Sequence, residues 1–464
     1  RRPDRIADDP FGNKTVRANM HAGRNWDDVT SEAGPEDPEL LLLSVQSTDG
    51  RPICVLSNFS MHYFGDSDIS ADYFGLFSEG LKLRIAPTRD VGKQEFVGMM
   101  SHGCSGDIYR VDYKIPEGQR SNPTIQEYTE GLLKIALRAY EGIVYEKNAR
   151  IRMQEKRIPL KYRVPNKQLL EWSQRTVEAA EGRGLKTSTE VYAREQMILN
   201  DLQKTEVVVQ ALSIGSIALA TTPNETYAVT GLKIKAASPF QKTMVIELAN
   251  GGDGYIPPPE QHPFGGYNTW PARSAGLEVS AEAKISQAAI ELLEEVTGRA
   301  RKPWKLPMGP AAQAILAMKP IAFWRLNEFN GPHAEDESGN HRDATYEAGI
   351  TYYLDGPASA QFCSESSVNR ASLFVGGRLR ARLPELKDSY SVSLWFWNGM
   401  PSGGRDVSGW LFSRDHDQGL SAFGTHLGIS GASEKPGHLL LIEAGNPLPR
   451  VIGKTEVPRW TWQH

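Results

Sequence analysis

Cysteine is scarce. The chain has three thiols in 464 residues, Cys54, Cys104 and Cys363. They are too far apart for CxxC or zinc-finger spacing and too few for a disulfide framework. An odd count leaves at least one thiol free, so cysteine usage leaves the redox compartment open. Long apolar runs are lacking as well. Residues 40–45 have the length of a core strand, and no run approaches the ~18–20 apolar residues of a membrane span. Neither sign of charge is in large excess, with 52 Lys+Arg against 56 Asp+Glu and a net charge of −4. That balance implies no broad basic surface and argues against a nucleic-acid partner. There is no internal repeat and no low-complexity tract. Arg1 opens without an initiator Met or a signal-peptide pattern, and the final Trp460-Thr-Trp-Gln-His464 stops inside a strand-like run, so both ends read as cut. What is present is globular: 40% hydrophobic, 23% charged and 9% aromatic residues. That composition excludes chain-wide disorder, and the length suggests two or three domains.

Residues 1–37 are polar and turn-rich. Two β-rich runs, 39–47 and 52–58, flank Thr48-Asp-Gly50, a strong hairpin signal. Phe74, Phe77, Leu81 and Ile85 recur at helical spacing over 71–85. A strand is expected over 95–100, followed by the Gly-rich Ser101-His-Gly-Cys-Ser-Gly-Asp107. Helices are expected over 124–145, 166–180, 191–202, 224–236 and 280–297. Two β runs fall within 206–222 and another strand over 243–249. This mixture of strands and helices indicates an α/β domain with a mixed sheet over residues 1–298. The basic, proline-bearing stretch 299–311 reads as a linker. Short strand-like runs then take over at 321–326, 371–375, 378–383, 390–397, 410–413 and 438–443, separated by turn residues. They indicate an all-β sandwich over 312–464.

Four strand ends carry polar clusters. His62 directly follows a core strand, where a ring nitrogen can ligate a metal or simply make a structural hydrogen bond. His102 to Asp107 follows another. Gly103 and Gly106 permit a tight turn there, with N–H groups facing an oxyanion or forming an ordinary strand–helix turn. Thr222-Pro-Asn-Glu225 opens a helix, where a carboxylate also suits the helix dipole. Gly254-Tyr-Ile-Pro-Pro-Pro-Glu260 stiffens a loop carrying Tyr255, with Tyr267 beyond it. Each is bland alone. Together they fit one shared site at a sheet edge.

The blocks SNFSMHYFG, ISADYFG, MMSHGCSGDIY, TPNETYAVTG and ELANGGDGYIPPPEQHPFGGY resemble, in order and spacing, the neutral/alkaline ceramidase family over roughly residues 10–300. They are especially similar to the ceramidase-like domains of bacterial multidomain proteins. The resemblance implies a hydrolase of N-acyl amides with one zinc held by two histidines, a glutamate and a tyrosine. By the match, His62 is the second zinc histidine, Glu225 the glutamate and Tyr255 the tyrosine. The family's first zinc histidine belongs to an N-terminal block that this chain is expected to lack. Its Gly-Asp-Val-Ser-Pro-Asn motif reads Gly106-Asp-Ile-Tyr-Arg110 here, so Tyr109 stands where the active-site serine would be. On this reading His102 and Asp107 are the candidate proton carriers and Asp72 orients His62. Gly106, Tyr109 and Tyr267 border the substrate, a ceramide-like lipid or related amide.

Pro320-Ile-Ala-Phe-Trp-Arg-Leu-Asn-Glu328, Asp336-Glu-Ser-Gly-Asn340 and Tyr390-Ser-Val-Ser-Leu-Trp-Phe-Trp397 resemble laminin-G/concanavalin A-like jelly rolls over 312–464. This second resemblance implies glycan or cell-surface attachment, with Ca2+ held through Asp/Asn loops, while Asp336 and Asn340 also suit turns. Both families are extracytoplasmic. The hydrolase expectation stands beside two others: a binding homologue without catalysis, and an esterase sharing the same metal site.

Overall fold

The Asp49-Gly50 step forms the expected hairpin. Gly50 takes φ +88°, and Leu41–Gln46 pairs antiparallel with Pro52–Phe59. Pro52–Phe59 then pairs in parallel with Val97–His102. The computed structural model describes residues 1–18, 26–65, 68–87, 95–363, 367–384, 386, 389–414, 424–432, 434–444 and 450–464. The crossover between the two parallel strands contains helix α1 (Asp72–Ile85), and α2 (Ile125–Glu141) packs on α1. Tyr73, Phe77 and Leu81, on one face of α1, are buried with Leu132, Leu133 and Ala136 of α2. A Cβ at Gly98 would lie 2.4 Å from the Ser78 carbonyl oxygen, so the missing side chain lets α1 lie on the strand. α2 starts where its sequence says it should. The Thr124 hydroxyl accepts from the Glu127 N–H, and the Glu127 carboxylate accepts from the Thr124 N–H, forming a reciprocal cap.

The second sheet has the strand order Lys242–Ile246, Ile217–Thr221, Lys204–Ile214, Ile151–Lys161. Its first pair is parallel and the other two are antiparallel. Inward-pointing Val207, Val209 and Ala211 meet Ile285, Leu292 and Leu293 of α6 (Ala281–Thr297), which ends on Gly298 in the left-handed region. Helices α3 (Lys167–Glu178) and α4 (Ser188–Leu202) pack together beside the sheet. No expectation attached to Ile151–Lys161. This edge strand exposes its first seven residues, among them Arg152, Glu155, Lys156 and Arg157. Charge hides its strand character in the sequence and also discourages pairing with a second chain.

The two sheets meet at the carboxyl ends of their parallel strands. There the Glu247 N–H donates to the His102 carbonyl at 2.9 Å.

The region after 298 corrects several expectations. The stretch 299–311 lies against the body: Leu306 is buried, and the Lys302 N–H donates to the Ala237 carbonyl. α7 (Pro310–Ala317) follows. The described residues beyond it form a four-stranded antiparallel meander, Val407–Arg414, Gly424–Ser430, His438–Ala444 and Arg450–Glu456. Small two- and three-stranded ladders accompany it, including Ile350–Asp355 with Arg370–Phe374. Neighbours in the meander are consecutive in sequence, while Ala344–Tyr346 pairs with Leu379–Arg380 and Phe396–Trp397 with Trp462–Gln463 across intervening strands; the described strands lie in several small sheets and do not specifically show a jelly roll. The expected strand over 321–326 is reduced to one bridge, Trp324 to Asp336. The one over 390–397 is reduced to Phe396–Trp397. Backbone N–H groups of Phe323, Ser338 and Arg342 occupy the Asp336 carboxylate. That side chain anchors the turn, the second of the two roles its sequence suits.

The β unit is packed firmly onto the first region. Tyr227 and Val229 share a core with Tyr346, Ile350 and Tyr352. Arg459 bonds Asp27 and the Val29 carbonyl. No described helix is long and apolar enough to cross a membrane.

Candidate functional site

Four segments converge where the parallel strands end. The first carries His62, three residues past Phe59. Its Nδ1 lies 2.8 Å from the Ser105 carbonyl oxygen. A carbonyl only accepts, so Nδ1 carries a hydrogen and the Nε2 edge faces away. Nε2 lies 3.3 Å from Glu225 Oε2.

Glu225 reaches this place by a route the sequence did not indicate. α5 spans Ala228–Ala237 and does not begin at Asn224. Asn224 adopts φ +61°, which an asparagine tolerates better than most residues. Glu225–Thr226 then forms a two-residue parallel ladder with Tyr255–Ile256, with Glu225 opposite Tyr255. The register sets the carboxylate and the phenol side by side. The Tyr255 ring lies nearly parallel to the His62 ring, at 4° and 6.4 Å between centroids. Its hydroxyl is 3.4 Å from that of Tyr267. Burial, reinforced by Tyr267 and Glu225, pushes the Tyr255 phenol well above its ordinary pKa. The Tyr255 N–H is held by the Ser274 carbonyl at 2.7 Å.

Asp107 accepts from the Ala228 N–H at 2.8 Å. Burial raises its carboxyl to about 7, outweighing the backbone hydrogen bond that lowers it. A Cβ on Gly34 would approach Asp107 Oδ2 to 2.6 Å, so the chain closes over this carboxyl only because residue 34 has no side chain.

The other expected residues lie elsewhere in the arrangement. His102 sits behind His62, with ring centroids 6.1 Å apart. Its Nε2 lies 2.7 Å from the Met61 carbonyl oxygen and 2.9 Å from Ser105 Oγ, and its Nδ1 faces Glu247. Burial lowers its pKa to about 4. A ring engaged on both edges and neutral near pH 7 is poorly suited to ferry protons. The Gly106 N–H donates to the Thr226 carbonyl, and a Cβ at Gly106 would lie 2.6 Å from the Glu225 carbonyl oxygen. Gly106 therefore serves the close crossing of two loops, and its N–H is not free for an oxyanion. Asp72 begins α1 with its carboxylate over Gly65. The Nδ1 partner of His62 is the Ser105 carbonyl instead. Tyr109 is half-buried near Tyr113.

Two residues escaped the sequence reading. Ser105 Oγ donates to Glu247 Oε1 at 2.8 Å. Glu247 is 2% exposed, and burial pushes its carboxyl well above the ordinary range. Thr226 Oγ1, one residue from Glu225, lies 3.5 Å from Glu247 Oε2. A carboxylate closing the apolar run Thr243-Met-Val-Ile-Glu247 was the available signal for this hub.

The donors fit zinc in part. Two ligands of one tetrahedral zinc, each about 2.0–2.1 Å from the metal, stand about 3.3–3.4 Å apart, as His62 Nε2 and Glu225 Oε2 do. Among the described residues no group of three or more His, Cys, Asp or Glu side chains is gathered to hold a metal. The set reaches three donors through the Tyr255 phenol.

No protein-family model matches the chain, and no curated protein does. Solved structures do match. One, described as ceramidase complexed with C2, is 12% identical, with a TM-score of 0.41 over 90% of this chain and 71% of that one. Another, the neutral ceramidase from Pseudomonas aeruginosa, is 15% identical, with a TM-score of 0.39 over 92% of this chain and 72% of that one.

Proposed function

We propose that this chain carries the hydrolytic site of a zinc-dependent amidase acting on N-acyl amides, a ceramide-like lipid or a related compound. The observation that carries the reading is the meeting of His62 Nε2 and Glu225 Oε2 at 3.3 Å, with the Nδ1 edge of the imidazole held by a carbonyl. The Tyr255 phenol stands beside them. The substrate class comes from the sequence resemblance of the same blocks to neutral/alkaline ceramidases.

His62, Glu225 and Tyr255 would hold the zinc, which when bound acidifies water and polarises an amide carbonyl. The protein's own groups do the rest. The Ser105 carbonyl keeps the His62 proton on Nδ1. Asp107, whose carboxyl burial raises to about 7, is protonated in about half of the molecules at pH 7 and in that form can give its proton to a leaving amine. Tyr267 buttresses the Tyr255 hydroxyl and borders the substrate side. The β unit after 312 serves attachment to a glycan or cell surface, and the protein works outside the cytoplasm. These two statements rest on sequence resemblance.

A second reading has its own support. Tyr109 replaces the family's serine, which favours a homologue that binds lipid without cleaving it. Metal analysis with hydrolysis assays on N-acyl lipids, simple amides and esters separates the two. About one zinc per chain with amide cleavage supports the amidase. Zinc without turnover favours the binding protein. No zinc means that the metal reading fails.

A further inference from the structure

We propose that Ser105 and Glu247 are positioning residues that hold the His62 ring with its Nε2 edge toward Glu225 and lock His62 and Glu225 at one separation. The inference rests on the metal reading above. It gives a role to two residues that lie within the resembling blocks but outside the ligand set.

The argument starts from the backbone. Residues 101–107 leave a parallel strand and fold back so that the Ser105 carbonyl points at His62 Nδ1. A loop carbonyl holds such a position only if its own residue is held. Ser105 is fully buried, and its hydroxyl donates to Glu247 Oε1 at 2.8 Å while lying 2.9 Å from His102 Nε2. His102 Nε2 also reaches the Met61 carbonyl, on the residue next to His62. One side of the hub thus grips both Ser105 and the approach to His62.

The other side of Glu247 faces the Glu225 segment. Oε2 lies beside the Thr226 hydroxyl, which contacts the Thr222 hydroxyl at 2.8 Å and Cys104 Sγ at 3.2 Å. The Gly106 N–H closes the ring by donating to the Thr226 carbonyl, and the Glu247 N–H joins it to the end of the first sheet. A buried carboxyl with hydroxyl, imidazole and backbone neighbours on two strand ends is costly unless each of its contacts is kept. These contacts tie together the two segments that supply the imidazole and the carboxylate. Outer-shell groups of this kind commonly change metal affinity by about 10–100-fold when removed.

Three proteins test the proposal: wild type, Ser105→Ala and Glu247→Ala. The first readout uses metal-free protein labelled with 15N-histidine, in which long-range 1H–15N correlation shows whether His62 Nδ1 keeps its hydrogen. The second is zinc affinity by competition with a chelator of known strength. Wild type is expected to show a uniform Nδ1–H. Ser105→Ala and Glu247→Ala are each expected to lose that uniformity and to bind zinc about 10-fold or more weakly. Folded variants that keep a uniform Nδ1–H and unchanged zinc affinity overturn the proposal. If wild type takes up no zinc, the metal reading falls, while the Nδ1 measurement in metal-free protein still decides whether Ser105 orients the ring.

Discussion

The loop that carries Tyr255 hangs on a paired carboxylate, and its loss can be worked out. Glu195 on α4 receives Arg273 through two parallel bonds, Nε to Oε2 and Nη2 to Oε1, both 2.8 Å. The Arg273 N–H adds a third at 3.2 Å and Arg194 a fourth at 3.1 Å. The next residue, Ser274, offers the carbonyl that holds the Tyr255 N–H. Hydrogen bonding to Arg273 is the main cause that lowers the Glu195 carboxyl from 4.5 to about 2. At about 1.4 kcal/mol for each tenfold change in proton affinity, the depression corresponds to about 3 kcal/mol. The Arg273 side chain is 55% exposed, and screening by water reduces this to about 1–2 kcal/mol. Between pH 4.5 and 2 the unfolded chain takes up a proton that the folded chain refuses. The contribution is therefore complete above pH 4.5 and is lost as pH falls toward 2. Glu195→Gln has no such proton to take up. Urea unfolding followed by tryptophan fluorescence should show the variant about 1–2 kcal/mol less stable at pH 7, with the gap narrowing at pH 4 and further at pH 3. A gap of the same size at pH 3 and pH 7 would refute the assignment of that stability to the ionised pair.

His62→Ala should remove zinc from the purified protein and abolish zinc-dependent hydrolysis; elemental analysis alongside turnover checks this, and undiminished turnover is incompatible with the role. Asp107→Asn should lower kcat about 10²-fold or more with little change in KM, as loss of a proton donor does, and an equal rise in KM alone would point to substrate binding instead. Gly106→Ala should weaken zinc binding and stability together, because its Cβ would approach the Glu225 carbonyl oxygen to 2.6 Å and the Thr226 carbonyl oxygen to 3.1 Å. Calorimetry of zinc binding and a thermal melt read both effects, and a variant unchanged in both shows that the crossing has slack.

Much of the first region was legible in the sequence. The Asp49-Gly50 hairpin, the capped start of α2, the Gly215 turn between Lys204–Ile214 and Ile217–Thr221, and the glycine end of α6 all follow from local chemistry. The charged edge strand Ile151–Lys161 was hidden because its first seven residues face water and Glu155, Lys156 and Arg157 interrupt the apolar alternation begun at Ile151 and Met153. The start of α5 was misplaced because Asn224, Glu225 and Thr226 have no strong strand preference of their own. They pair only because Tyr255–Ile256 is brought alongside. In the β unit, the aromatic-rich runs 321–326 and 390–397 gave only a bridge and a two-residue strand, because pairing partners decided which runs formed ladders.

Residue types and their spacing determined on their own that His62 and Asp107 each follow a strand, since φ/ψ preferences and apolar periodicity act over a few residues; the short ladder that holds Glu225 and Tyr255 was not among the features so determined. Tertiary structure alone decided which nitrogen of His62 faces Glu225, that the Gly106 N–H is already engaged, and that Ser105 and Glu247 form a hub behind the pair. Those facts depend on contacts between residues 43 and 142 positions apart. Sheet register and helix packing fix such separations to within an ångström, and no local preference encodes them.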